Sequence, residues 1–390
     1  MTAVTIRRPA GDEVASSRAW FPGWRPLATP LLAWALSRLL SIAAIAVGNH
    51  LRRGGEHVID ALHLWDGNWF LSAAQGYRYP DVSQPDLGQV NIAFFPLYPW
   101  MIRVAQALTG WTQLAAAVLV TALLGALAMV AIWLLLNRLN GRAFADRGVV
   151  LLAFFPGTIA LTLIYSEGAM LAAAALCLLA LLDRRWVLAG LFGALASLAR
   201  ANGIALALAC AVAALLAIRE RREWRALWAP ALAPLGMVGY LVWLWAATGA
   251  ANVWFRVQSE GWGEGVDFGR STVRDIGWYL HLGSTLDFLS IPFIIHLRVL
   301  GLIVLVACIV FMVRWRPPAI IWAYVIGVLA PSLLSQTLGA RPRFIFTAFP
   351  VVAAVAWKLR EVAFSAVLAC SAVLLALATI IYTTPGVVAP

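Results

Sequence analysis

Apolar residues in this 390-residue chain come in long unbroken runs, and the short turns between the runs carry arginine. Runs with no polar residue every third or fourth position do not suit the half-exposed helices of a water-soluble domain. They do suit lipid, because a helix satisfies its own backbone N–H and C=O groups. Charged residues make up 12% of the chain, about half the usual share for a soluble domain. The chain therefore reads as an all-α polytopic membrane protein.

Candidate spans lie at 28–48, 114–136, 149–165, 168–182, 186–199, 203–218, 227–247, 290–313, 318–338, 344–357 and 362–383. That makes about eleven transmembrane helices, several of them short of the roughly 20 residues a bilayer needs. Cytoplasmic loops tend to carry the basic residues, which orients the count. With the N-terminus inside, the inner segments hold Arg7, Arg8, Arg18 and Arg25, then Arg138, Arg142, Arg147, Arg184 and Arg185. They continue with Arg219, Arg221, Arg222, Arg225, Arg314, Arg316, Lys358 and Arg360. Counting 94–110 as a span would put the later clusters outside. The expected arrangement is a cytoplasmic tail at 1–27, one transmembrane catalytic domain at 28–383, and an outward tail at 384–390. The expected location is the cell membrane.

A net charge of +11 could suggest nucleic acid, but the positive residues are spread between apolar runs, as topology requires. No nucleic-acid partner is expected; membrane lipids are. Cys177, Cys210, Cys308 and Cys370 fall inside apolar runs, and His57, His63, His281 and His296 show no ligand spacing, so no metal is expected.

Two outward loops are long, at 49–113 and 250–289, and loops of that length are usually functional. The first contains Leu64-Trp65-Asp66-Gly67-Asn68-Trp69-Phe70 and ends that stretch at Gly76-Tyr77. Asp66 is placed to cap a helix of about nine residues that Gly76 closes, with Trp65, Trp69 and Phe70 laying it in the interface. An aspartate held rigidly at a helix start also suits a general base. Farther on, Phe94-Phe95-Pro96-Leu97-Tyr98-Pro99 fixes a bend before the second span.

Three more charged sites lie on the outer side. Glu167, in Tyr165-Ser166-Glu167, is either a turn carboxylate in water or a functional group at the membrane edge. Arg200 occupies the next outer turn, a possible partner for it. Arg341 and Arg343 either anchor to headgroups or clamp a substrate phosphate. An outward carboxylate with outward arginines suits transfer of a group from a lipid-linked phosphate to a hydroxyl. Nucleotide-sugar enzymes commonly use a metal and an Asp-x-Asp pair, which is absent here. That points to a lipid donor and to no cofactor.

Trp65-Asp66-Gly67-Asn68-Trp69-Phe70-Leu71, then Gly76-Tyr77, then Phe94-Phe95-Pro96-Leu97-Tyr98-Pro99, resembles the PIG-V type of mannosyltransferase (GPI mannosyltransferase 2-like) within the GT-C glycosyltransferases. Tyr165-Ser166-Glu167, Leu198-Ala199-Arg200-Ala201-Asn202-Gly203 and Arg341-Pro342-Arg343-Phe344 are similar to later signatures of that family, in the same order. The resemblance spans about residues 34–358 and implies a GT-C-like fold with short interfacial helices in the first outward loop. It implies an inverting enzyme that takes mannose from polyprenyl-phosphate-mannose on the non-cytoplasmic side, with Asp66 as base. Trp65, Asn68, Trp69, Tyr98, Glu167, Arg200, Arg341 and Arg343 are then candidates for binding the donor and a glycolipid or envelope glycan or protein acceptor. Trp69-Phe70 departs from the family, which tends to have Tyr second, and a different pair usually follows the arginine at 200. Acceptor, linkage and any partner subunit stay open. A transporter or lipid flippase is the alternative, although such proteins usually keep their ionisable residues near the midplane.

Overall fold

A computed structural model describes residues 23–51, 57–280, 291–337 and 339–384. The expected N-terminal tail lies, up to residue 22, outside the described residues, as do His281, the end of the second long loop and the tail from 385.

Among the described residues every regular element is helical, apart from a lone antiparallel bridge between Val266 and Ser335. The first helices are α1 (Trp24–Leu51), α2 (Val58–Leu62), α3 (Asp66–Gln75), α4 (Leu97–Thr109), α5 (Gln113–Asn140) and α6 (Arg142–Ala153). Next come α7 (Glu167–Leu182), α8 (Trp186–Ala199), α9 (Ala205–Arg221), α10 (Trp228–Leu232), α11 (Leu235–Thr248), α12 (Val253–Arg256) and α13 (Arg270–Leu280). The chain closes with α14 (Phe293–Trp315), α15 (Ala319–Leu334), α16 (Pro342–Thr347), α17 (Phe349–Val355) and α18 (Glu361–Tyr382).

Five helical stretches are long and apolar enough to cross a membrane: most of α1, then α5, Ala201–Arg221 including α9, α14 and α18. At 28 residues, α5 is about 42 Å long, more than a hydrocarbon core of about 30 Å requires. α10 and α11 make a sixth span if taken together, bent by 41° at Ala233-Pro234. α7, α8 and α15 are apolar but shorter, with 16, 14 and 16 residues.

Two further expected spans are not single helices. Residues 149–165 run from the end of α6 into a 3-10 segment, Pro156–Leu161, and residues 344–357 divide between α16 and α17. Pro156 and Pro350 stand in the first turn of the element each begins. Proline lacks an N–H and its ring clashes with the preceding turn, so it starts a helix and does not continue one. Hydropathy does not register such a break.

α7 forms the centre of the bundle, and all of it except Leu176 and Leu182 is buried. In lipid the packing of helices rests on close dispersion contact, which small residues permit. α7 supplies them at Ala169 and Ala172–Ala175, against α5 on one side and α8 on the other. Its second residue is Gly168, where a Cβ would stand 3.1 Å from backbone atoms of Leu124 and Gly125. The first turn of α7 therefore lies directly against α5, and the side chain before it, Glu167, is carried into the interior.

The two long loops are tied together. Arg256 donates to the carbonyls of Val82 (2.9 Å) and Gln84 (2.8 Å), while Glu260 accepts from the Leu87 N–H at 3.0 Å. Buried Asn91 bonds Ser72, the Gly76 carbonyl and the Arg78 N–H, which fixes the chain just after α3.

Candidate active site

α3 begins at Asp66, ten residues before Gly76 as the turn chemistry suggests, but Asp66 does not cap it. Trp65 holds the cap position with φ 56 and ψ −120 and makes no side-chain cap bond. A bulky residue at positive φ is strained and persists only where its surroundings hold it. Here the Trp65 indole N–H donates to the Tyr382 carbonyl at 2.8 Å, at the end of α18. The sharp reversal frees the Asp66 carboxylate from its own helix and turns it outward to another segment.

That segment is α16. Arg343 Nη2 donates to Asp66 Oδ2 at 2.8 Å, and Arg343 Nε lies 2.9 Å from Glu167 Oε1. Arg200 Nη1 approaches the same Glu167 oxygen at 3.1 Å and the Ser166 hydroxyl at 3.3 Å. Charges alternate along the row Asp66, Arg343, Glu167, Arg200. Both acids are the first residues of their helices, where the helix dipole favours negative charge. Glu167 is fully buried, and the side chains of Arg343 and Arg200 are 8% and 16% exposed, against 21% for Asp66. The Tyr165 ring lies under the Arg343 guanidinium, 4.9 Å away. Burial works against the Arg343 charge, but Asp66, Glu167 and Tyr165 together outweigh it and hold its pKa above the ordinary arginine value.

The start of α16, which carries Arg343, rests on one close approach and one buried cation. A Cβ on Gly157 would meet the Pro342 carbonyl oxygen at 2.2 Å, so only glycine lets the 3-10 segment pack on the start of α16. Arg38, inside α1, then braces that segment. It donates to the carbonyls of Thr158 and Ala153 and to the hydroxyls of Thr158 (2.9 Å) and Thr162 (2.6 Å). Irregular backbone at membrane depth must be satisfied by protein groups, and this buried cation does so. Arg38 is a bracing position that sequence reasoning missed, although a charge inside the apolar run 28–48 is itself the signal.

Arg341 and Arg343 do not act as a pair. The extended backbone at Arg341 and the helical start at Pro342 send the two side chains to different partners. Arg341 donates to the Thr337 carbonyl at 3.1 Å and forms no ion pair among the described residues. Burial, with Arg298 and Arg343 nearby, pushes its pKa down to about 10, while Tyr382 and Glu264 act the other way. Arg298, also not foreseen, is bound to Asp275 at 3.2 Å and to the Thr337 carbonyl.

The other candidates separate. Trp69 stacks with Phe94 (6.1 Å) and meets the edge of Trp262 (5.3 Å), which brings the second long loop over α3. Asn68 is exposed and bonds His63 at 2.7 Å. Tyr98 is fully buried with its hydroxyl on Thr121 at 2.5 Å, a core position and not part of the ion row. Chemically, Asp66 Oδ1 and Glu167 Oε2 each accept no hydrogen bond among the described residues, but only the Asp66 carboxylate is partly exposed.

Residues 93–245 match the family model of dolichyl-phosphate-mannose-protein mannosyltransferase. The match takes in Tyr98, Glu167 and Arg200 but neither Asp66 nor Arg343, and it is a different family from the PIG-V type that the motifs resemble. No curated protein matches the chain by sequence. Among solved structures, ArnT from Cupriavidus metallidurans bound to undecaprenyl phosphate is similar at 17% identity over 90% of this chain, with a TM-score of 0.48. The Archaeoglobus fulgidus oligosaccharyltransferase in the apo form is similar at 15% identity over 93%, with a TM-score of 0.46. The chain spans 62% and 56% of the lengths of those two proteins.

Proposed function

We propose that the chain is a membrane-embedded GT-C glycosyltransferase of the PIG-V type. It moves mannose, with inversion, from polyprenyl-phosphate-mannose to a hydroxyl of a glycolipid or other envelope acceptor on the non-cytoplasmic side. One observation carries the reading: of the two acids in the ion row Asp66 is the one that reaches the surface, its side chain 21% exposed against none for Glu167, with one oxygen held by Arg343 at 2.8 Å. The motif likeness around Trp65–Leu71 supports it, as does the matched family, whose description names dolichyl-phosphate-mannose. The two likenesses differ over the acceptor, glycolipid in one and protein in the other, and the acceptor class is kept wide for that reason.

In the reaction the acceptor hydroxyl attacks the anomeric carbon, and the bond from that carbon to the phosphate oxygen breaks. The hydroxyl proton passes to Asp66, and polyprenyl phosphate departs with the bonding electrons. Arg341 is the cation free to meet the growing phosphate charge, since it forms no ion pair among the described residues. Arg343 and Glu167 position the base, and Trp69 and Trp262 offer ring faces to a sugar. The test is to incubate membranes, with and without this protein, with labelled polyprenyl-phosphate-mannose and identify the product. Protein-dependent label in a lipid or envelope fraction is expected; label that never leaves the donor would end the reading.

A further inference from the structure

α4 carries three different faces. Tyr98 and Ile102 are buried against the bundle, while Trp100, Val104 and Leu108, spaced four apart, are all exposed. Such a stripe of large side chains suits acyl chains. On the remaining flank stand Arg103 and Gln106, three apart on one face of the helix. Beside them Ala74 and Gln75 of α3, Ala107 of α4 and Gln113 of α5 frame an open surface cavity of about 480 Å³. That volume is within the roughly 300–1,000 Å³ of small-molecule sites.

The polar groups in the cavity are arranged but not spent. Gln75 Nε2 donates to Gln113 Oε1 at 3.0 Å, and Gln113 Nε2 donates to the Leu71 carbonyl at 2.7 Å, so both amides are oriented. The side chains of Arg103 and Gln106 make no hydrogen bond or ion pair among the described residues. One cation and three carboxamides line the space, and no acid does. An anion with hydroxyl or ester oxygens fits that lining, and a charged phosphate on arginine is the stronger contact. The neighbouring stripe selects an amphiphile, because a soluble anion would leave Trp100, Val104 and Leu108 uncovered. From this we infer that the cavity holds the headgroup of an anionic phospholipid, its phosphate on Arg103 and its acyl chains along the exposed face of α4. The site lies at the far end of α3 from Asp66, nine residues or roughly 14 Å along the helix. It does not depend on Asp66 being a base.

The test is native mass spectrometry of the purified full chain, titrated with palmitoyl-oleoyl phosphatidylglycerol or with phosphatidylcholine of the same acyl chains. The wild type is expected to retain one phosphatidylglycerol at least tenfold more tightly than phosphatidylcholine. Arg103→Gln should weaken phosphatidylglycerol about tenfold, and Arg219→Gln, which removes an exposed charge on α9, should leave it unchanged. Equal effects of the two variants would reduce the result to general charge and overturn the site. Glycerol 3-phosphate should not displace the lipid at matched concentration; if it does, the apolar stripe contributes nothing and the lipid assignment fails.

Discussion

Glu167→Gln removes one negative charge from a buried row whose charges otherwise cancel, two acids against two arginines. The carboxylate oxygen lies 2.9 Å from Arg343 and 3.1 Å from Arg200, and neither atom pair has bulk water around it. Taking charge centres about 4 Å apart and an effective dielectric of about 20, each attraction is worth roughly 4 kcal/mol before relaxation. Breaking a buried pair from one side usually costs about 3–5 kcal/mol net, because an uncompensated charge remains. At about 2 °C per kcal/mol, the variant should melt roughly 6–10 °C lower. Unfolding can be followed by a thiol-reactive dye, because Cys177, Cys210 and Cys308 are buried in the bundle and become reachable on unfolding. The decisive variant is Glu167→Gln with Arg200→Gln, which returns the row to neutrality. It should be more stable than Glu167→Gln alone, with a coupling of about 1–3 kcal/mol. Additive losses would refute the view that Glu167 serves to balance and place the two arginines.

Gly157→Ala puts a methyl group 2.2 Å from the Pro342 carbonyl and should separate the 3-10 segment from α16. A poorly folded protein, with loss of transfer exceeding loss of stability in any folded fraction, is the expected result; wild-type melting would disprove the close approach. Arg341→Gln should raise the KM for the polyprenyl donor about 10- to 100-fold, the range for a lost hydrogen bond to a charged group, with little change in melting. An unchanged KM would remove Arg341 from the phosphate site. The hydrogen bond from Arg256 lowers the pKa of Glu260, so its bond to the Leu87 N–H persists above the ordinary glutamate range and is lost as pH falls through the lowered value. Exchange protection of the Leu87 amide, corrected for intrinsic rate, should be flat from pH 7 to about 4.5 and fall below that. A decline already between pH 7 and 5 would count against the clamp.

Much of the bundle is legible in the sequence because lipid demands long apolar runs and short charged turns. The first loop is legible too: the Asp66–Gly76 spacing marks α3 to within a residue, and ionisable side chains at run ends single out Glu167, Arg200, Arg341 and Arg343. The breaks at Pro156 and Pro350 are hidden, since a 3-10 turn and a bent helix have the same hydropathy as a straight one. Trp65 at positive φ has no sequence signal at all, because its strain is held by α18, more than 300 residues away in the chain. That is why the N-cap rule misplaces Asp66 by one residue and misses where its carboxylate turns. The partition of Arg341 from Arg343 depends on the backbone at the start of α16, and the compensation of Arg38 by carbonyls some 120 residues distant needs the tertiary fold.

In the proposed reaction everything turns on Asp66 taking the proton of the attacking hydroxyl. Asp66→Asn keeps the size of the side chain and an oxygen for Arg343 while removing the base. Purified variant and wild type should be compared for the rate of mannose transfer from polyprenyl-phosphate-mannose at saturating donor, with melting measured alongside. The expected rate is roughly 10²–10⁴-fold lower, the span usual for general-base catalysis, in a protein that still folds and still binds donor. Transfer at the wild-type rate would contradict it.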